Sequence, residues 1–319
     1  MNTNCSASIQ QGLLICSTIM DPGPSLHYWL EYHLRRADII MIFMDDPGQR
    51  PRFEPFTEDE RVLLVPGVTP RTDLTPSGLF NREVANYREA VSYALAEGIP
   101  WLIPLDSDEI LYDRGDHSWK TMDHVGHVTF MNHEAVPLNH EVTNCFTQCT
   151  LFRVNGRADF MAYGNGKSAV RVSPGVKAGV HSFSGYEGEQ RTVDHPVILH
   201  YPNPSFDSWV AKFGKFEAFS DFWWDNPDCP IVIQFMLRSR DLLRAARETG
   251  SWDEARNYFM SWSLDAATRE ELVKAEVLRR YDPMAELRDR RGADVRSVAL
   301  PPSAVRPGED GKYSTSSSP

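Results

Sequence analysis

Apolar residues fall along this chain in short blocks separated by turn formers, and the spacing inside each block predicts the element it builds. Leu13 to Met20 is an apolar run after a polar start, ended by Asp21-Pro22-Gly23-Pro24, as in a buried strand. Leu26, Trp29, Leu30 and Leu34 then recur at three- and four-residue steps, one face of a helix. Asp38 to Met44, stopped by Asp45-Asp46-Pro47-Gly48, and Arg61 to Val65 predict two further strands. From Leu79 to Glu97 a longer helix is expected. Phe80, Val84, Tyr87, Val91 and Leu95 hold its period, and Gly98 stands at the C′ position. Trp101 to Leu105 is a strand-like run that leads directly into Asp106-Ser107-Asp108-Glu109. Pro104 belongs near the end of that ladder, because proline has no N–H to donate. The β-α-β-β rhythm predicts an α/β fold with a mostly parallel central sheet.

Farther on, Val128–Phe130, Cys149–Val154, Ser168–Val172 and Val197–His200 predict short strands, with a turn over Gly164–Lys167. Phe206, Trp209, Val210 and Phe213 mark a helix, and the chain from Ile231 to about Arg280 reads as helical, broken near Gly250 and Ser263. After Leu300 the composition turns to Pro, Ser and Gly. The expected organisation is an α/β domain over residues 10–220, a helical C-terminal extension over 225–290 and a disordered tail over 300–319.

Charge and composition narrow the function. The 319 residues carry 44 acids against 33 Lys and Arg, a formal net charge of −11. That balance, without a dense basic stripe, speaks against a nucleic-acid partner. No apolar run approaches the roughly 18 residues of a membrane helix, so no membrane span is expected. No anchor is visible, and the compartment stays open. Cys145 and Cys149 are spaced so that they could pair in an oxidising compartment; otherwise they are free, buried thiols.

The acidic segment carries the chemistry. In open α/β sheets ligands bind beyond the carboxyl ends of the strands. Asp106 and Asp108 sit there two residues apart and can project to one side. Paired carboxylates repel one another unless a cation joins them, and Mg²⁺ or Mn²⁺ takes one or two such oxygens together with substrate phosphates.

The segment Trp101-Leu102-Ile103-Pro104-Leu105-Asp106-Ser107-Asp108-Glu109 resembles the acidic core of glycosyltransferase family 2-like and family 92-like enzymes of the GT-A fold. Trp29-Leu30-Glu31-Tyr32-His33 is similar to their first helix, and Phe43-Met44-Asp45-Asp46 to the end of their second strand. Asn132-His133-Glu134 with Pro137, Gly166 to Arg171, Gly179-Val180-His181 and Leu199-His200-Tyr201 resemble their later blocks. The likeness spans roughly Leu13 to Phe219. It departs after the first strand, where Ile19-Met20-Asp21 replaces the usual Lys-Asn-Glu.

The resemblance implies a Rossmann-type α/β/α sandwich, a nucleotide-sugar donor (UDP-linked in the first instance), a hydroxyl acceptor such as a glycan, Mn²⁺ or Mg²⁺, and usually inversion. Asp45 or Asp46 would hold the nucleoside, with Arg82 and Asn86 reaching the donor from the helix before the acidic strand. Asp106 and Asp108 would bind the metal, completed by a late histidine, His200 first and His181 as runner-up. Lys212, Lys167 and Arg171 would meet the diphosphate. Asp108 joins Glu134 in the catalytic set, Glu134 as the first candidate for general base, ahead of Asp159, Glu187 and Asp194. Tyr201, Trp209, Phe213, Trp223 and Trp224 could stack on acceptor sugars or form an aromatic core. Two competing readings are a metal-dependent phosphohydrolase or nucleotidyltransferase, which would normally show a second acidic cluster, and a non-catalytic sugar-nucleotide binder on the same fold.

Overall fold

Strand β1 (Leu13–Ile19) runs through the middle of the sheet and is buried along almost its whole length. In this computed structural model, which describes residues 12–72, 76–216 and 233–290, β1 lies between β2 (Ile39–Met44) and β4 (Trp101–Pro104), both parallel to it, and β3 (Val62–Pro66) extends the parallel run beyond β2. The register sets Leu13 beside Trp101 and Leu14 beside Ile39, so the carboxyl ends of β1, β2 and β4 open at one edge. Double burial explains the unbroken apolar runs in these strands.

Past β4 the sheet becomes mixed. The strand β8 (Lys167–Arg171) is antiparallel to β4 and to β6 (Val125–Ala135). Strand β6 also carries β7 (Leu151–Arg153), against which β12 (Leu278–Arg280) pairs. On its other side β6 runs parallel to β11 (Glu189–His200), which in turn holds β5 (Glu109–Tyr112) antiparallel. The short strands β9 (Lys177–Ala178) and β10 (Phe183–Ser184) pair separately as an antiparallel ribbon. The fold is α/β and Rossmann-like, with helices following at the C-terminal side.

Helix α1 (Leu26–His33) follows β1, and α2 (Pro76–Glu97) follows β3. The predicted face of α2 packs in part: Tyr87 and Val91, with Ala90 and Ala94, meet Leu14, Cys16, Phe43 and Leu102 in one buried cluster, whereas Leu95 is exposed. Each large apolar side chain so buried contributes about 1.5–3 kcal/mol. Gly98 ends α2 with φ +67°, as its C′ position requires.

A second cluster joins α3 (Phe206–Phe216), α4 (Gln234–Thr249) and α5 (Asp253–Ser263) through Trp209, Phe213, Phe235, Leu243 and Phe259. The Trp209 indole donates to Ser239 Oγ at 2.9 Å inside it. Trp209, Phe213 and Tyr201 are all buried, so of their two readings the aromatic core is the one the structure bears out. Trp223 and Trp224 lie outside the described residues, as does the tail over 300–319. Gly250 closes α4 in the left-handed conformation, the break the sequence predicts there. The helix α6 (Ala266–Lys274) follows α5. Residues 12–284 belong to one compact unit, and the short helix Ala285–Arg290 belongs to another.

One local expectation needs correction, one strand went unread, and one open alternative is decided. Leu278–Arg280 is a strand rather than the end of a helix, because its three residues pair with β7; a stretch this short has no periodicity to read. The strand β5 begins with the acid Glu109 and was hidden by the acidic motif. Cys145 and Cys149 are free and buried, lying on and just past a single helical turn (Cys145–Gln148). Burial pushes the Cys145 thiol up to about 12 and the Cys149 thiol well above its ordinary value. Among the described residues no helix is long and apolar enough to cross a membrane.

Helix α1 grips the start of β5. The Trp29 indole donates to the Glu109 carbonyl at 2.7 Å, and the Leu111 amide donates to His33 Nε2 at 3.2 Å, while His33 Nδ1 meets the Trp29 carbonyl at 2.9 Å. His33 is therefore neutral and fully buried. Burial, helped by the Arg36 charge, lowers it to about 3. A histidine whose folded value lies below its unfolded value destabilises the fold as pH falls through the unfolded value. Between pH 7.5 and pH 5.0 this one site should cost about 2 kcal/mol of unfolding free energy. Urea denaturation at the two pH values measures it, and His33→Gln, with no proton to take up there, should lose about 2 kcal/mol less over the same interval.

Candidate active site

The edge where β1, β2 and β4 end opens into a cavity of about 410 Å³. Its floor is made by Thr18 of β1, Asp45 after β2 and Asp106-Ser107-Asp108 after β4; Lys212 of α3, His200 at the end of β11 and Tyr163 form part of its wall. The acids sit at the carboxyl ends of parallel strands, where the fold leaves a ligand crevice.

The acidic segment is a closed turn. The Glu109 amide donates to the Asp106 carbonyl at 3.0 Å, and the Asp106 amide donates to Glu109 Oε2 at 2.8 Å. The Tyr201 amide, just past β11, donates to the Asp108 carbonyl at 2.9 Å. Beneath the turn lies Lys167, with its side chain 1% exposed. Its Nζ is 2.9 Å from Asp106 Oδ2 and 3.5 Å from Glu109 Oε2. Burial opposes the charge on Lys167, but Asp106 and Glu109 outweigh it and hold the ammonium well above its ordinary value. Glu109 is itself fully buried. Burial lifts it to about 7 against the Lys167 charge.

Asp108 has different neighbours. Lys212 Nζ lies 3.5 Å from Asp108 Oδ2 and also donates to the Pro202 carbonyl at 3.1 Å. His200 Nε2 is 3.8 Å from the same Oδ2, beyond hydrogen-bond range. Burial would raise the Asp108 carboxyl, yet Lys212, His200 and Lys167 hold it well below the carboxylate range. For His200 the balance is reversed: burial lowers it, and the Asp108 and Glu109 carboxylates lift it above its ordinary value.

These groups fit a divalent ion in part. Two ligands each about 2.0–2.2 Å from one ion lie ~3–4 Å apart, which matches the gap between Asp108 Oδ2 and His200 Nε2. The other His200 nitrogen, Nδ1, is buried without a hydrogen-bond partner among the described residues. Asp106 fits less well, because its Oδ2 is committed to Lys167. Among the described residues no group of three or more His, Cys, Asp or Glu side chains is assembled for a metal. The protein side of such a site would be Asp108 and His200, with oxygens of a phosphate ligand and water needed to complete it.

Other expected site residues are placed differently. Asp45 lines the cavity, but Arg82 is buried behind it and grips it twice, at 2.6 and 3.2 Å, with Arg71 at 3.3 Å. Arg82 thus orients Asp45 and does not itself line the cavity. Asn86 is buried too. Its amide donates to Thr18 Oγ1 at 3.0 Å, and its carbonyl accepts from the Val68 amide at 2.8 Å, tying the ends of β1 and β3 together. Asp46 caps the following turn by accepting from the Gly48 amide at 2.9 Å, outside the cavity lining. Arg171 is corrected most plainly. It stands at the far end of β8, paired with Trp101, and donates to the Val125 and Met122 carbonyls.

Glu134 is likewise not placed as a base. It is fully buried, and its two oxygens accept from the Met161 and Ala162 amides at 2.7 and 2.8 Å. His181 lines the cavity but meets Asn165 Oδ1 at 2.9 Å, and burial lowers it to about 3. The Tyr163 ring contacts both His181 and His200.

One cavity acid escaped the sequence reading. Glu83 of α2 lines the cavity, and burial, with Asp106 adding to it, lifts it to about 8. The signal was present: Glu83 is three residues past Phe80 and four before Tyr87, an acid on the apolar face.

No family model matches the chain. It is 24% identical over 259 residues to Glycosyltransferase-like At3g57200 of Arabidopsis thaliana, covering 70% of this chain and 48% of that protein. It is 24% identical over 258 residues to Glycosyltransferase-like At2g41451 of the same plant, covering 70% of this chain and 55% of that one. The chain therefore spans about half the length of the curated relatives it matches. Among solved structures, UDP-glucose pyrophosphorylase from Leishmania major aligns with TM-score 0.27 and 8% identity over 54% of this chain and 52% of that one. A mannose-1-phosphate geranyltransferase from Thermus thermophilus aligns with TM-score 0.23 and 11% identity, covering 77% and 67%. Superpositions this loose carry no argument about the site.

The buried cluster gives a stability test. Lys167→Met keeps the length of the side chain and removes its charge, leaving Asp106 and Glu109 without their counter-ion. Because the Asp106 side chain is 34% exposed, the loss should fall near the low end for a broken buried pair, about 3 kcal/mol in urea denaturation at pH 7.5. A loss under about 1 kcal/mol would show that the lysine does not hold the turn.

Proposed function

We propose that this chain is a glycosyltransferase that binds a nucleotide sugar, UDP-linked as its resemblance implies, in the cavity at the ends of β1, β2 and β4. The observation that carries the reading is the grouping of Asp108, His200 and Lys212 at the mouth of a parallel-sheet crevice. The names of the two plant relatives support the same class.

In this reading Asp45, steadied by Arg82, accepts hydrogen bonds from the nucleoside. Lys212 moves from Asp108 to the diphosphate, where an ammonium stabilises charge that grows as the leaving group departs. Asp108 and His200 hold Mn²⁺ or Mg²⁺, which when bound would neutralise diphosphate oxygens. Asp106 is the anchor of the turn through Lys167 and offers its second oxygen to the cavity. Transfer joins the acceptor oxygen to the anomeric carbon as the bond from that carbon to the diphosphate breaks, with inversion if attack comes from the opposite face. The acceptor proton passes to a group other than Glu134, whose oxygens are occupied.

Calorimetric titration with UDP tests this reading. UDP should bind in the presence of Mn²⁺ and lose affinity when EDTA is added. Asp108→Ala should weaken binding on the order of 10²-fold, the scale on which disturbed metal sites respond, while Asp46→Ala leaves it unchanged. Equal UDP affinity with and without metal, or in Asp108→Ala, would overturn the assignment.

A further inference from the structure

A second cavity, of about 380 Å³, borders the first. Ala162 and Ile233 line both. The wall between them is the segment 159–163, and its two ends face opposite ways: Asp159 and Phe160 line the second cavity, while Tyr163 lines the first. The buried Glu134 carboxylate fixes the middle of that wall by accepting from the Met161 and Ala162 amides. A fully buried carboxylate that takes two backbone donors holds them firmly.

The second cavity is lined by rings with polar groups among them. Phe160, Tyr258 and Trp262 are half-buried, and Phe235 is buried beneath them. Phe235 stacks with Tyr258 at 5.7 Å and meets Trp262 edge-on at 5.0 Å, so these rings are mutually braced. The Trp262 ring is also backed by the Arg153 guanidinium at 5.1 Å, whose Nη2 donates to the Trp262 carbonyl at 2.6 Å. Asp159 and Gln234 are exposed at the rim. Asp159 has no hydrogen bond or ion pair with any described residue.

We propose that this groove is a glycoside-binding subsite, holding the sugar that accepts the transferred unit. A pyranose has an apolar C–H face, which suits the electron-rich face of an aromatic ring. Its edge carries hydroxyls, which suit a free carboxylate and an amide that can both donate and accept. Few polar groups among apolar walls is the usual make-up of a small-ligand site. Ala162 and Ile233 line both cavities, so an occupant of the groove lies beside the first cavity. The acceptor role rests on the donor reading of the first cavity; the sugar chemistry of the groove does not.

Saturation-transfer NMR on the whole chain tests it, with methyl glycosides of glucose, galactose, mannose and N-acetylglucosamine as probes and UDP with Mn²⁺ titrated in parallel. At least one glycoside should bind, receiving saturation mainly on its C–H face. Asp159→Ala and Tyr258→Ala should each weaken it tenfold or more and leave UDP affinity unchanged. Asp159 is exposed, so its variant reports on binding even if Tyr258→Ala folds poorly. Wild type that binds UDP and no glycoside, or a glycoside bound equally by both variants, overturns the groove and leaves the donor reading standing. A glycoside lost in the variants with no UDP bound to any form supports the groove and sinks the donor reading. Binding of neither overturns both.

Discussion

A lysine ammonium buried in the sheet is tolerable only where carboxylates meet it, and the arrangement of this cavity follows from that constraint. Lys167 sits at the first position of β8, and its side chain passes under the turn after β4. Desolvation alone would strip its proton. Asp106 and Glu109 prevent this, and they can do so only if the four-residue turn folds back on itself, as its two internal hydrogen bonds make it do. Placing the lysine there needs the residue before it. Gly166 adopts φ +73°, and a Cβ at that position would come 2.2 Å from the Phe130 carbonyl oxygen. Only glycine lets β8 start this close to β6.

The same turn is held from two other sides. Helix α1 reaches it through Trp29 and His33, and β11 reaches it through the Tyr201 amide. The segment from Trp29 to His33, which resembles a glycosyltransferase helix, is therefore a backbone clamp here. Its aromatic and imidazole groups satisfy β5 amide and carbonyl groups that burial would otherwise leave unpaired. Glu134 does a similar task for residues 161–162. Buried acids in this molecule mostly hold backbone or cations, and the ones left open to the cavity are fewer than the sequence contains.

How much of this was legible in the sequence depends on how local each signal is. The parallel strands and α2 were readable because double burial gives unbroken apolar runs and one helix face repeats at 3.6 residues. The acidic motif was readable because Asp106-Ser107-Asp108-Glu109 interrupts such a run. Asp108, His200 and Lys212 come together from 92 and 104 positions away respectively, and strand ends plus the resemblance were enough to pair them. What could not be read was direction. Lys167 and Arg171 are four residues apart on one strand, so they share a face. The strand carries them to opposite ends of β4, and only Lys167 reaches the turn. Glu134 was equally opaque, since its role is set by a loop 27 residues later.

Asp106 and Asp108 look interchangeable in the chain, yet their surroundings divide them. Asp106 has lent one oxygen to a buried lysine and so is bound into the fold. Asp108 faces a cation on a long, partly exposed side chain: Lys212 is 36% exposed and stands at 3.5 Å, an ion pair that solvent weakens and that a stronger partner can replace. The His200 imidazole waits at a distance no hydrogen bond spans. A doubly charged ligand or ion entering the cavity would therefore displace one weak contact at Asp108, whereas at Asp106 it would have to break the cluster that shapes the turn. The fold confines adaptability to the second aspartate by giving the first a structural task.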